Sequence, residues 1–258
     1  MLPTSLAALG FILVLMLTLW VVSLARRDVS IVDPFWGFGF VAVASFAAAV
    51  PPGLSELAPR GRLALAMVAV WGLRLSLFLL WRNRGHGEDF RYRAMREHHG
   101  DRFPLVSLGT VFLLQGVVLW TVSWPLQSSL RATTPWSWLD ACGAAIWLIG
   151  VLFESIGDWQ LARFKTDPAN RGRVLDRGLW RYTRHPNYFG DFCVWWGFYL
   201  VAAAGGAWWT VFSPLLMSFL LLRVSGVTLL ESTIVERRPE YRDYIRRTSP
   251  FFPRPPRS

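Results

Sequence analysis

The sequence predicts an all-α, polytopic integral membrane protein with seven transmembrane helices plus short cytoplasmic helices. Three observations predict it. Of 258 residues, 53% are hydrophobic. The apolar residues gather into runs of about 20, the length with which a helix crosses a bilayer core. The connecting segments alternate between strongly basic and nearly neutral, as the positive-inside rule requires. An open-edged sheet is excluded, because its unpaired backbone groups would find no water in lipid.

The first run, about 5–25, lacks a basic leader and a small-residue cleavage site before Arg26, so it reads as a retained span rather than a signal peptide. The second to fifth runs lie at about 31–51, 62–82, 105–127 and 136–158. The sixth and seventh, about 188–205 and 207–230, are separated by Gly205-Gly206, which suits a tight turn between antiparallel helices. After them, "RPEYRDYIRRTSPF" reads as a short amphipathic helix starting at Pro239, and "SPFFPRPPRS" as an extended end.

Seven spans put the segments around 26–30, 83–104, 159–187 and 231–258 on one side, carrying 2, 5, 7 and 7 Arg or Lys. The other side holds Arg60, Arg62 and Arg131. This places the basic loops and C-terminus in the cytoplasm and the N-terminus outside. The net charge of +10 is then largely topological and needs no nucleic acid. Nearly all of the basic residues are Arg, whose planar fork suits phosphate and anionic lipid headgroups. Cys142 and Cys193 both lie in spans, without the spacing of a disulfide framework or a zinc site. His98 and His99 are adjacent, expected to point apart, and no metal site is expected.

Four polar corners carry the chemistry. At the exit of the fifth span, Glu154, Asp158, Leu161 and Lys165 share one helical face. Carboxylates there must face the bundle or a water-filled cavity, or form an ion pair such as Asp158 with Arg163 or Lys165. "RGLWRYTRHPNYFGDF" at 177–192 then sets Arg181, Tyr182, Arg184 and His185 before Pro186, the first residue of the sixth span, with Asn187, Tyr188 and Asp191 in its opening turns. A helix N-terminus beside such donors suits a polyphosphate. The tail adds Glu231, Tyr241 and Tyr244. In the third span, Arg74 needs an anionic partner, with Asp33 in "SIVDPFWGFGF" a possible counter-ion, and Arg82, Asn83 and Arg84 form a donor-rich corner after it. Arg223 in the last run is a further cation, expected to be buried.

The stretch "ESIGDWQLARFKTDPANRGRVLDRGLWRYTRHPNYFGDFCVWWGFYL" resembles the steroid 5-alpha-reductase family in its bacterial branch, whose superfamily includes sterol C14 reductases and isoprenylcysteine carboxyl methyltransferases. The likeness extends more loosely to "WRNRGHGEDFRYR" and "DVSIVDPFWG". It implies a seven-helix enzyme of the bacterial inner membrane that binds NADPH on the cytoplasmic side and takes an apolar small-molecule substrate among membrane lipids, working as a monomer. Residues 1–135 would form a four-helix substrate part, and 136–258 a three-helix part with the cofactor loops and tail. The resemblance assigns cofactor contacts to Asp158, Lys165, Asn187 and Asp191. It adds Arg181, Tyr182, Arg184, His185 and Tyr188 from the same motif, Glu231, Tyr241 and Tyr244 from the tail, and Arg74, Asn83 and Arg84 from the corner after the third helix.

One departure bears on the chemistry. The steroid reductases use a Gln-Glu pair on the second helix and a Tyr on the third to hold the substrate carbonyl. Here Val32 and Asp33 stand near the pair, and the third span has no Tyr. The acid is expected to be Asp33, or Tyr92 from the following loop. The implied reaction is reduction of an activated C=C bond in a steroid, sterol or isoprenoid enone. The rival readings are an S-adenosylmethionine-dependent methyltransferase of the isoprenylcysteine type and a non-catalytic lipid-binding membrane protein.

Overall fold

The structure, a computed structural model, describes residues 2–50, 53–224 and 240–256. Among these residues every regular element is helical. Five helical stretches are long and apolar enough to cross a membrane: Leu2–Arg26, Val29–Ala49, Pro59–Asn83, Phe90–Val122 and Trp138–Thr166. The protein is a helical membrane protein. The expected sixth span is the 19-residue helix Pro186–Ala204, which is not among these five, and the expected seventh is described as far as Val224, over the apolar helical stretch Trp208–Val224.

Two compact units divide the chain: Met1–Trp136 with Ala202–Thr210, and Ser137–Val201 with Val211–Ser258. The first unit holds α1 (Leu2–Arg26), α2 (Val32–Ala49) and α3 (Pro59–Asn83). Pro59 opens α3 at a position whose N–H has no helical partner to lose. Helices α2 and α3 meet backbone to backbone at Gly37 and Gly72, where a Cβ on Gly37 would strike the Gly72 carbonyl oxygen. Such close approach is how helices associate in lipid, which rewards packing rather than apolar burial. Across this seam Phe38 N–H donates to Ser76 Oγ at 2.7 Å.

The fourth apolar run was expected as one helix over 105–127, but it is interrupted. Helix α4 (Phe90–His99) and the short α5 (Phe103–Ser107) lead into a π-helical stretch at Leu108–Leu113, then α6 (Leu114–Val122) and α7 (Trp124–Arg131). Pro125 marks the break, since its ring and missing N–H end the preceding ladder. Two arginines expected merely to face outside have fixed structural tasks. Buried Arg60 donates to the carbonyls of Thr134 (3.1 Å) and Pro135 (2.8 Å). Arg131 donates to those of Ala47 (2.7 Å) and Val50 (3.2 Å), at the end of α2.

The second unit is built on α8 (Trp138–Thr166) and α9 (Pro186–Ala204). A reciprocal Ser137–Asp140 capping box starts α8. The helix runs past the expected end at 158 because nothing in its sequence stops it before Asp167 and Pro168. It meets α9 along glycines. A Cβ on Gly143 would come within 2.9 Å of the Gly197 oxygen, and one on Gly190 within 2.6 Å of the Gly150 oxygen. Beyond lie α10 (Phe212–Phe219), a π-helical stretch at Leu220–Val224 in which Arg223 is exposed rather than buried, and α11 (Tyr241–Arg247). Pro239, the expected start of the last helix, lies outside the described residues.

Candidate functional site

In the first unit, two elements distant in sequence bring Asp33 and Tyr92 together. Asp28 accepts from Ser30 N–H (2.9 Å) and so starts the turn that leads into α2, leaving Asp33 in the first turn of that helix. Asp89 accepts from Arg91 N–H (2.9 Å) and caps α4, leaving Arg91 and Tyr92 in its first turn. The Tyr92 hydroxyl donates to Asp33 Oδ1 at 2.8 Å, and Arg91 Nη2 to Asp33 Oδ2 at 3.1 Å. Tyr92 is buried, whereas Arg91 is largely exposed. The carboxylate thus accepts from a phenol and a guanidinium at once.

A third group completes the cluster. Trp36, one turn along α2 from Asp33, donates its indole N–H to Gln115 Oε1 at 2.7 Å, and Gln115 lies near Tyr92. Gln115 stands two residues past the π-helical stretch of the interrupted run, and such wide turns recur at functional sites. Sequence reasoning missed Gln115, Trp36 and Arg91. The legible signal was an amide inside an otherwise apolar run, which in lipid demands a partner.

The loop that carries Tyr92 is tied down by charge. Glu88 accepts from Val29 N–H (2.9 Å) and from Arg96 Nη2 (2.7 Å), while Asp89 N–H donates to Ser30 Oγ (2.6 Å). Burial would raise the Glu88 carboxyl, but the bonds from Arg96 and Val29 outweigh it and hold the group below the ordinary carboxylate value. Asp89 is held low in the same way, burial being outweighed by the side chain and N–H of Arg91. The Arg96 guanidinium also lies over the Phe103 ring, 4.4 Å from its centre.

The corner after α3 is more open. Arg74 is half-buried, its guanidinium 5.6 Å from the centre of the Phe78 ring. Asn83 Oδ1 accepts from Arg82 Nε (3.2 Å), and Arg84 is exposed. Asp33, the possible counter-ion of Arg74, has Arg91 beside it. His98 and His99, expected to point apart, meet edge to face with ring centres 4.7 Å apart.

In the second unit the exit of α8 is covered by the motif that follows it. Leu179 N–H donates to Gln160 Oε1 (3.0 Å), and the Trp180 indole donates to the Gly157 carbonyl (3.1 Å). This brings Pro186 against Gly157 and Asn187 beside Asp158, whose Oδ1 accepts from Asn187 Nδ2 at 3.3 Å. Glu154, Asp158, Arg184 and His185 are all buried. The His185 ring stacks on Tyr188 at 5.6 Å. Asp191, one turn past Asn187, is half-buried, whereas Lys165, Arg181 and Tyr182 are exposed.

The tail is clamped to the same motif. Arg184 Nη1 donates to the carbonyls of Ile245 (2.9 Å) and Thr248 (3.1 Å), at the end of α11, and its own N–H to Ser249 O (2.9 Å). Tyr244, packed on Tyr241, donates its hydroxyl to the Trp180 carbonyl at 2.5 Å. Thr183 Oγ1 donates to Phe251 O at 2.7 Å. Arg184 and Tyr244 therefore have structural tasks in holding α11. Glu231 lies outside the described residues.

The family described as "Protein of unknown function (DUF1295)" matches residues 19–248. The chain belongs to the DUF1295 family. That match takes in both clusters of this DUF1295 protein, from Asp33 to Tyr244. It is also similar to the uncharacterised protein C594.04c of Schizosaccharomyces pombe, at 25% identity over 266 residues, covering 92% of this chain and 76% of the yeast protein. No solved structure matches this DUF1295 chain.

Proposed function

We propose that this protein is an NADPH-dependent membrane reductase that reduces an activated C=C bond in a lipid-like enone. The observation that carries the reading is the Asp33–Tyr92 hydrogen bond, with Gln115 nearby, beside a bundle of apolar helices. In this reading the Tyr92 hydroxyl turns its one proton from Asp33 to the substrate carbonyl oxygen as substrate binds, and polarises it. Asp33 positions the phenol beforehand, and Arg91 balances the Asp33 charge. The resemblance to steroid 5-alpha-reductases supplies the reaction class, with Tyr92 and Asp33 replacing that family's Gln-Glu-Tyr set.

The donor set of the second unit fits a dinucleotide. Asp158, Asn187 and Asp191 offer acceptors and an amide for ribose and carboxamide, and exposed Lys165 and Arg181 offer charge for phosphates. The cofactor supplies the hydride when bound. The chain's own residues orient it, exclude water and hold the proton at the Tyr92 oxygen. In this reading the positive-inside bias supports seven crossings with this face in the cytoplasm and the N-terminus outside, and the resemblance supports a monomer of the bacterial inner membrane.

The commitment of Arg184 to tail carbonyls favours a second reading, an S-adenosylmethionine-dependent methyltransferase, whose cationic cofactor needs no arginine cluster. A titration of purified protein in detergent separates the two. NADPH binding that weakens steeply with salt, together with NADPH oxidation by an enone lipid, supports the reductase. S-adenosylmethionine binding without NADPH binding sinks it. Binding of neither, by a folded protein in which Asn187→Ala changes nothing, leaves the non-catalytic reading.

A further inference from the structure

Beside the tail lies a hollow of about 340 Å³, walled by Arg184, by Ile245–Pro250 and by Arg254 and Pro255. Among the described residues four arginines line it (Arg184, Arg246, Arg247 and Arg254), and no carboxylate does. Two acids that pair with these arginines sit outside its wall. Asp243 pairs with Arg246, and Asp176 lies 3.8 Å from Arg247, both as exposed pairs of the kind that contribute little and exchange readily. Arg184 is different. It is buried, and its guanidinium is fixed by two carbonyls, so one wall of the hollow is cationic and pre-set. The hydroxyls of Thr248 and Ser249 lie in the same wall. Its volume falls within the roughly 300–1,000 Å³ of small-molecule sites, more than a bare inorganic ion needs.

The chain between the lining residues Pro250 and Arg254 is apolar and aromatic. Phe251 is buried against Phe192, whereas Phe252, ring-packed on Phe189 and Phe192, is half exposed. Tyr182, whose carbonyl accepts from Arg254 N–H at 3.0 Å, is also exposed. Tyrosine and tryptophan with one apolar and one wet side are enriched where membrane meets water. A cationic hollow with an uncovered phenyl ring two residues along the chain from Pro250 and from Arg254 of its wall is complementary to a phosphate that carries an oily chain.

We propose that this hollow binds the phosphate headgroup of an anionic phospholipid, with the start of its acyl chain against Phe252. Asp33, Tyr92, Asp158 and Asn187 lie outside the hollow, whereas Arg184, which the resemblance assigns to the cofactor, lines it with its guanidinium bound to tail carbonyls. A lipid held there would pin α11 and the chain end to the membrane surface.

The experiment uses full-length protein, delipidated in a neutral detergent and titrated with phosphatidylglycerol, phosphatidylcholine, glycerol phosphate and inorganic phosphate, with bound lipid counted by native mass spectrometry. Phosphatidylglycerol should bind best and weaken with salt. The double variant R246Q/R254Q, at exposed positions, should lose about tenfold in affinity, about 1.4 kcal/mol. R171Q, in an exposed turn elsewhere, should stay within about twofold of the parent, as for an exposed charge away from the site. Unchanged phosphatidylglycerol binding by the double variant, or binding indifferent to salt, overturns the proposal. So does glycerol phosphate or inorganic phosphate binding as tightly as the lipid, which would make this a soluble-anion site.

Discussion

The two clusters use charge in opposite ways. Around Asp33, side chains answer side chains: a phenol and a guanidinium from α4 converge on a carboxylate from α2, and an amide from α6 joins them. Around Arg184, a side chain answers backbone: its guanidinium closes off the carbonyls at the end of α11. The first arrangement keeps a proton-bearing group beside an acceptor and can do chemistry. The second satisfies carbonyls that would otherwise be orphaned, which is architecture. An arginine-rich motif is therefore poor evidence of ligand binding until its partners are known.

The sharpest way to break this contrast is Tyr92→Phe. It removes one hydroxyl, and under the reductase reading turnover should fall by about 10²–10⁴-fold while NADPH affinity stays as it was. Asp33→Asn should lower turnover in the same direction. Steady-state assays with an enone lipid check both, and full activity in Tyr92→Phe would remove the phenol from the chemistry.

Next in size is Arg184→Gln. Hydrogen bonds to charged groups contribute about 1.5–3 kcal/mol, and losing this one should free α11. Hydrogen exchange should quicken over 241–256, with little change around Asp33. Exchange that is equally slow in variant and parent would mean the clamp is dispensable. Tyr244→Phe removes a single bond to Trp180 and should cost about 1 kcal/mol, read as a smaller shift in the same exchange experiment. If its effect exceeds that of Arg184→Gln, the order of the two anchors is reversed.

The smallest effect belongs to Glu88. Its carboxyl is depressed in the folded protein, so its contribution is fully present above its unfolded value of about 4.3 and fades as pH falls through the lower folded value. Thermal melts should show Glu88→Gln less stable than the parent at neutral pH, with the gap closing under acid. A gap that is constant with pH would show that the Glu88 charge is immaterial.

Helices and their apolar runs were legible because lipid imposes a length and forbids unpaired backbone. Asp33 was legible as a carboxylate near the start of a span and Tyr92 as a candidate acid in the following loop, but their pairing was not, since 58 intervening residues fold between them. The interruption at Leu108–Leu113 was hidden because a π-helical turn leaves no mark in apolarity. The structural use of Arg60, Arg131 and Arg184 was hidden too, because a bond to a backbone carbonyl is indifferent to the residue that supplies it. Asn187 was found on the helix N-terminus, but its partnership with Asp158 depends on how α8 and α9 are aligned.

That alignment is set along the seam between the two helices. Gly143, Gly150 and Gly157 recur every seven residues on α8, facing Gly197, Gly190 and Pro186 of α9. These notches admit a neighbouring backbone only at matching heights. Sliding α9 by one turn, about 5.4 Å, would thrust side chains into the notches and carry Asn187 out of reach of Asp158. The seam thus acts as a ruler, fixing the level of a polar pair at one end of the two helices from contacts along their length.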